Sequence, residues 1–225
     1  MSYGVLFSGG KDSALAFWEA KKMDIDVDYL LTVYPEKDDS YMFHKPNLHM
    51  IPKLARSIGI ELKKVRTEGI KEKEVDDLND YIKNSNLEGL VIGAVASSYQ
   101  KNRIEKICFE NGLDLYAPLW GLKQEKLIRK LIDEDFEVII AAVAARGLSE
   151  SWLGRKIDEE CLQDLKYLNE KYCLNIAGEG GEFETFVLNA PFYRWGFEVS
   201  NYKKIWDGQR GFFEIERLKK INNKS

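Results

Sequence analysis

The feature that most restricts the fold of this chain is the alternation of strand-like and helix-like segments over its first two-thirds. Apolar runs of strand length, such as Tyr3 to Phe7 and Asp28 to Tyr34, are separated by segments whose apolar residues recur at helical spacing. The segment from Leu48 to Ile58 is one of these, and Gly59 closes it. Strands joined by helices of this length predict an α/β fold, with a mostly parallel sheet covered by helices on both faces. In such sheets ligands bind beyond the carboxyl ends of the strands.

The second part of the chain has a different pattern. Further strand-like segments follow at 60–65, 90–95 and 113–116, and the apolar run 137–145 ends the alternating part. Beyond it come a helix over about 157–168, a Gly-rich acidic segment at 178–185 and short strands rich in aromatic residues. We therefore predict two domains: a larger α/β domain at 1–146 and a smaller α+β part at 147–225.

The charge balance argues against a surface built for nucleic acid. Of the 225 residues, 33 are Lys or Arg and 37 are Asp or Glu, which gives a net charge of −4. Proteins that hold nucleic acid through its phosphates usually carry a basic excess, so no direct nucleic-acid partner is expected. No stretch approaches the roughly 20 apolar residues of a membrane span, and the first apolar run ends at a Gly-Gly turn, unlike a signal peptide. The expectation is a cytoplasmic protein without a membrane segment.

The three cysteines are far apart and form no CxxC pair, so neither a zinc site nor a disulfide framework is indicated. Cys108 and Cys161 fall on apolar helical faces, where a free thiol is usually buried and inert.

The turn after the first strand has the composition of an anion-binding loop. We call it the phosphate loop, and its residues are Ser8-Gly9-Gly10-Lys11-Asp12-Ser13. Two glycines allow a tight turn that aims backbone N–H groups at an anion, and the helix that follows adds unpaired N–H groups and the positive end of its dipole. The loop also contains the hydroxyls of Ser8 and Ser13, the cation of Lys11 and the carboxylate of Asp12, which is suited to a metal ion. Neither Gly-x-x-x-x-Gly-Lys-Ser/Thr nor Gly-x-Gly-x-x-Gly is present.

The sequence SGGKDS resembles the PP-loop of the ATP pyrophosphatase superfamily. The resemblance implies a Rossmann-type, HUP-like fold and a grip on the pyrophosphate of ATP that leaves the α-phosphorus open to attack. ATP would then be cleaved to AMP and pyrophosphate as a carboxyl or carbonyl group is activated.

Further motifs narrow the resemblance. They are Gly93 to Gln100 with Arg103, Pro118 to Gly121, Arg146 to Leu148, Trp152 to Arg155, Gly178 to Phe186, and Asn189-Ala190-Pro191. With the phosphate loop, this set is similar to the diphthine–ammonia ligase family, over residue 4 to about 195; one departure is Asn189, where Asp is expected. The resemblance implies ATP- and Mg²⁺-dependent amidation, with ammonia, of diphthine on translation elongation factor 2, through an acyl-adenylate.

The resemblance also implies roles for residues. Lys11 and Asp12 would act in catalysis, with Asp12 as the Mg²⁺ ligand, and the phosphate loop, Gly93 and Arg103 would bind ATP. The acceptor pocket is expected to contain Glu179, Glu182, Glu184, Thr185 and Trp152, with Glu182 and Glu184 also catalytic. From the residues themselves, three carboxylates within six positions repel one another, so the acidic segment is expected to meet a cation. If Glu182 to Glu184 is extended, both carboxylates face one side. Whether that cation is the trimethylammonium group of diphthine or a metal stays open.

Several alternatives also stay open. A tRNA-modifying PP-loop enzyme is disfavoured by the acidic charge and the scattered cysteines. A non-catalytic ATP-binding sensor and a homo-oligomer are not decided by the sequence. Gly93 suits close packing of a helix on a strand, and Trp152 is more often a packing residue than a ligand contact. Because the two parts fill the 225 residues, no glutaminase domain is expected and free ammonia is the predicted nitrogen donor.

Overall fold

The computed structural model describes residues 2–35, 47–68 and 73–222. Its first sheet has five parallel strands in the order β3-β2-β1-β4-β5. These strands are β1 (Tyr3–Leu6), β2 (Val27–Pro35), β3 (Glu61–Thr67), β4 (Gly89–Val91) and β5 (Asp114–Tyr116). The chain builds outward from β1 on one side and then returns to its other side, so the strand order reverses between β1 and β4. The predicted α/β class is confirmed.

Helices cover both faces of this sheet. They are α1 (Lys11–Lys22), α2 (Ile51–Ile58), α3 (Lys73–Lys83), α4 (Ser98–Asn111) and α5 (Gln124–Asp133). Along β2, Leu30 belongs to one apolar cluster and its neighbour Leu31 to another, because successive side chains point to opposite faces. The predicted stop at Gly59 is also confirmed: it takes φ +80° at the end of α2, a left-handed conformation that glycine adopts at little steric cost.

The second sheet is antiparallel and has the order β7-β6-β9-β8. Its strands are β6 (Glu137–Val143), β7 (Phe183–Asn189), β8 (Gly196–Trp206) and β9 (Gly211–Ile221), and α6 (Glu159–Tyr172) lies between β6 and β7. The assignment of the run 137–145 to the alternating part is wrong in one respect, since β6 pairs with β7 and β9. An apolar run marks a buried strand but does not specify its partner. The aromatic-rich tail forms two strands of 11 residues rather than short ones.

The division into 1–146 and 147–225 stays a prediction, and sheet membership changes earlier, between α5 and β6. None of the described helices is long and apolar enough to cross a membrane.

The two sheets are joined by buried contacts. The Asn47 side chain donates to the Phe213 carbonyl at 2.9 Å and accepts from the Ile215 N–H at 2.7 Å. The Val187 N–H of β7 donates to the Gly9 carbonyl at 2.9 Å. Because β7 is the edge strand of its sheet, its outward backbone groups bond to the phosphate loop instead of to another strand. The loop therefore lies between the two sheets.

Candidate functional site

The phosphate loop connects the end of β1 to the start of α1. Gly9 takes φ +74°, which only glycine adopts readily. The Ser8 N–H donates to Ser13 Oγ at 3.2 Å, and Ser13 Oγ donates to the Gly10 carbonyl at 3.0 Å. The hydroxyls predicted to serve a ligand thus also hold the turn in shape.

A cleft opens beside this loop, at the carboxyl ends of β1, β2 and β4 where the strand order reverses. Such a switch point is where open α/β sheets bind ligands. Most of the lining residues are apolar, and the polar ones are Ser8, Asp12, Ser13, Thr32 and Gln100. The lining residues are Leu6, Phe7, Ser8, Asp12, Ser13, Leu31, Thr32, Val33, Leu48, Ile92, Gly93, Ala94, Gln100 and Ile104.

Gly93 lets the chain beyond β4 pass directly over the start of α1. A Cβ at this position would stand 2.6 Å from the carbonyl carbon of Asp12 and 2.7 Å from the Ser13 nitrogen. Both are backbone atoms, so no side-chain rotation could relieve the clash. The packing role of Gly93 is therefore supported by geometry, and the residue lines the cleft as well. The same crossing ends β4 at Val91, earlier than the predicted 90–95.

Lys11 is the buried cation of the site. The residue is only 3% exposed, and it is the first residue of α1. Its Nζ lies 2.8 Å from Asp12 Oδ2 and 3.8 Å from Glu179 Oε1. Burial alone would lower the pKa of Lys11, but the nearby carboxylates of Asp12, Glu179 and Glu184 outweigh it and raise the pKa above its ordinary value. Lys11 is thus kept charged. An anionic ligand that contacts its ammonium group would do so beside carboxylates that already contact it.

The acidic segment reaches the phosphate loop. Thr185, 8% exposed, accepts from the Lys11 N–H through Oγ1 at 3.0 Å. Glu179 and Glu184 supply the field at the Lys11 ammonium. Thr185 and these two glutamates are therefore brought to the nucleotide side of the predicted site.

Glu182 lies differently from Glu184. It precedes β7, and its carboxylate turns back to accept from the Gly180 N–H at 2.8 Å and from the Asn175 N–H at 3.3 Å. The sequence predicts both carboxylates on one side only if Glu182 to Glu184 is extended. Strand β7 begins at Phe183, so Glu182 lies outside the strand. In this structure Glu182 shapes its own loop.

Asp12 has an oxygen suited to a cation. Oδ2 pairs with Lys11, whereas Oδ1 is buried and has no hydrogen-bond partner among the described residues. A buried carboxylate oxygen normally has a partner, and this one borders the cleft. Within the described ranges, no group of three or more His, Cys, Asp or Glu side chains is arranged to hold a metal by itself. A metal at Asp12 would therefore take its other ligands from a bound molecule or water.

Two predicted site residues make other contacts. Arg103 lies in α4 and donates to the Tyr99 carbonyl at 3.3 Å, with its guanidinium carbon 3.4 Å from the centre of the Tyr99 ring. Trp152 is 7% exposed, and Arg155 stacks 4.5 Å from the centre of its ring. Their assigned roles stay predictions.

Sequence reasoning missed several cleft residues, among them Thr32, Gln100 and Ile104. Thr32 donates to the Phe7 carbonyl at 2.6 Å and so fixes β2 to the strand that leads into the phosphate loop. Gln100 ends the motif Gly93 to Gln100 but was given no role, and neither was Ile104. The two residues are four positions apart on α4 and so lie on the same face of the helix. This spacing could have indicated that both face the cleft.

The cysteines behave as predicted from their patterns. Cys108 and Cys161 are buried, and burial raises their pKa values to about 11 and about 12. Cys173 is exposed.

The sequence matches two family profiles in succession. Residues 1–115 match the diphthamide synthase N-terminal domain, and residues 123–221 match the diphthamide synthase C-terminal domain.

Similar proteins are found in several animals and fungi. A diphthine–ammonia ligase from Bos taurus is 32% identical, over 97% of this chain and 90% of the relative. The diphthine–ammonia ligase from Homo sapiens is 31% identical over the same shares. Among solved structures, the predicted subunit of tRNA methyltransferase from Methanocaldococcus jannaschii is similar over 85% of this chain and 98% of that chain, at 19% identity and a TM-score of 0.45.

Proposed function

The chain belongs to the diphthamide synthase family and is a ligase, and we propose that it amidates diphthine on translation elongation factor 2 with ammonia. In this proposal ATP is the energy source and is cleaved to AMP and pyrophosphate.

One observation carries the proposal: the phosphate loop and the acidic segment meet at Lys11. The loop supplies a buried cation that pairs with Asp12, and Asp12 lines the cleft. The acidic segment, which comes from the other sheet, places Glu179 3.8 Å from that cation. A ligase must hold a nucleotide and an acceptor side by side, and here the two candidate parts share one side chain.

The cleft suits a nucleotide in one orientation. Its apolar residues, which include Leu31, Val33 and Ile92, would contact the base, and the polar residues of the phosphate loop would contact the phosphates. Lys11 and the start of α1 would then face the β- and γ-phosphates, where negative charge gathers as pyrophosphate departs.

The residues present fit Mg²⁺. Asp12 offers the buried oxygen without a partner described above, and Mg²⁺ is usually bound by one or two carboxylates together with phosphate oxygens. When bound, the ion would neutralise phosphate charge. Its presence also answers an electrostatic problem, since Asp12, Glu179 and Glu184 would otherwise repel the triphosphate.

The proposed chemistry has two steps. The diphthine carboxylate attacks the α-phosphorus, so that a carboxyl oxygen–phosphorus bond forms and the bond to the bridging oxygen of pyrophosphate breaks. Ammonia then attacks the acyl carbon, AMP leaves, and the surplus proton passes to solvent. Lys11 stabilises the charge on the departing pyrophosphate in the first step, and the buried setting strengthens that interaction.

Purified components provide the test. The chain is mixed with ATP, isotopically heavy ammonium and elongation factor 2 carrying diphthine, and the modified peptide is weighed by mass spectrometry. We expect the heavy nitrogen in the product amide only when ATP is present. Binding of ATP without amide formation would contradict the proposal and favour a sensor.

The same assay tests the nitrogen donor. Replacing ammonium by glutamine should abolish amide formation, because the expected donor is free ammonia. Product formed from glutamine alone, with no ammonium source, would overturn this part of the proposal and leave the ligase reaction intact.

A further inference from the structure

The start of α1 lacks a capping side chain of its own. Its N-cap residue is Gly10, which makes no side-chain hydrogen bond. The first N–H groups of a helix have no partner within the helix, and a Ser, Thr, Asp or Asn side chain at the N-cap usually accepts from one of them. In the phosphate loop a glycine takes the N-cap position. Without a side chain there, a ligand can approach the backbone closely, but no side chain at this position can cap the helix.

Thr185 supplies the missing acceptor from far away in the sequence. Its Oγ1 lies 3.0 Å from the Lys11 nitrogen, in a buried bond that spans 174 positions. The neighbouring Val187 N–H binds the Gly9 carbonyl, so β7 holds the loop on both sides of Gly10. A Cβ on Gly10 would stand 3.4 Å from the Thr185 carbonyl oxygen, which shows how closely the strand approaches.

We infer that Thr185 is a positioning residue that caps α1 from the second sheet and thereby sets the phosphate loop for nucleotide. This role differs from the acceptor contact predicted from the sequence. The expected effect of Thr185 on ATP binding rests on the proposed function. The capping contact itself does not depend on that function.

The test uses the full chain with three variants. Thr185→Val keeps the size of the side chain and removes the acceptor, and Thr185→Ser restores it. Thr67→Val removes a buried hydroxyl in β3 and serves as the matched control. Hydrogen exchange of the Lys11 amide is measured in the ligand-free protein. Binding of a non-hydrolysable ATP analogue and the KM for the protein acceptor are measured separately.

We expect Lys11 amide exchange to accelerate about fivefold in the Thr185→Val variant, as loss of one cap implies. ATP-analogue binding should weaken by a similar factor, with the acceptor KM unchanged, and Thr185→Ser should restore both. Unchanged Lys11 exchange in Thr185→Val, or a change in acceptor KM alone, would overturn the inference. If Lys11 exchange is faster in Thr185→Val but the unaltered chain does not bind the ATP analogue, the proposed function is contradicted and the capping contact is still supported.

Discussion

The two sheets contribute to the same site by different kinds of contact. The parallel sheet presents a loop: β1 ends, the chain turns at Gly9 and α1 begins, so the ligand-facing groups are backbone atoms and neighbours in sequence. The antiparallel sheet presents the edge of β7 and the acidic segment before it, whose side chains reach Lys11 from more than 160 positions away.

This difference indicates that the two sheets have different roles in the site. In our proposal the loop is a preformed anion site whose shape follows from local turn and helix chemistry. The second sheet fixes that loop through Thr185 and places carboxylates beside its cation. Changes in the first region should therefore abolish nucleotide chemistry, whereas changes in the second should adjust it.

The largest effect is expected at Lys11. Lys11→Met keeps most of the aliphatic stem but removes the charge, and ATP turnover should fall by about two orders of magnitude or more. Asp12→Asn should behave similarly. Because Lys11 is buried, its loss also leaves carboxylates uncompensated and should destabilise the fold by about 3 kcal/mol.

Pyrophosphate release at saturating substrates and urea unfolding measure these two quantities. Lys22→Met, which alters a half-exposed ion-pair network with Glu19 and Glu134, is the control and should keep normal turnover. Near-normal release by Lys11→Met would remove Lys11 from the mechanism.

Gly93→Ala should have the next largest effect. Its Cβ would meet the Asp12 backbone at 2.6 Å, so the start of α1 must shift. We expect a loss of about 1–3 kcal/mol in stability and a reduced turnover. Gly4→Ala in β1 is the comparison, since the nearest atoms to its Cβ are the ends of the Leu87, Leu31 and Leu90 side chains and not backbone. The temperature of thermal unfolding and ATP turnover should both be lower in Gly93→Ala than in Gly4→Ala. Equal values in the two variants would show that the contact of Gly93 with the start of α1 does not matter for either property.

Much of the first region could be predicted because its signals are local. The phosphate loop, its flanking strand and helix, and the stop at Gly59 all follow from neighbouring residues. The partner of β6 and the bond from Thr185 to Lys11 could not be predicted, because they depend on which distant segments pack together. The hydrogen bond from the Gly180 N–H to the Glu182 carboxylate could not be predicted for a related reason, because it depends on how the chain turns at the glycines.

A smaller, several-fold effect should distinguish the three glutamates. Glu179→Gln and Glu184→Gln each remove a negative charge that faces Lys11, so the KM for ATP should fall by about threefold. Glu182→Gln loosens the loop it holds and should raise the KM for the protein acceptor, with ATP unaffected. Steady-state kinetics with each substrate varied in turn provides the measurement. If all three change only the acceptor KM, the carboxylates serve the cation of diphthine, which is one of the two alternatives that the sequence leaves open.

The smallest effect is expected from the cysteines. Iodoacetamide should modify exposed Cys173 in the native protein and spare Cys108 and Cys161, because burial shields both thiols and raises their pKa values to about 11 and about 12. Turnover of the modified protein should be unchanged. Peptide mass mapping and an activity assay check this, and loss of turnover would favour the alternative of a tRNA-modifying PP-loop enzyme.

The central claim is that the loop of one sheet and the acidic segment of the other form a single site for acyl activation. Rapid-quench analysis of ATP labelled at the α-phosphate tests it most directly, with ammonium omitted so that only the first step can occur. With diphthine-bearing elongation factor 2 present, we expect a burst of α-label in an acyl-adenylate, with an equal amount of pyrophosphate, that matches the number of enzyme sites, and no burst without the acceptor. Formation of ADP, or AMP released equally with and without the acceptor, would contradict it.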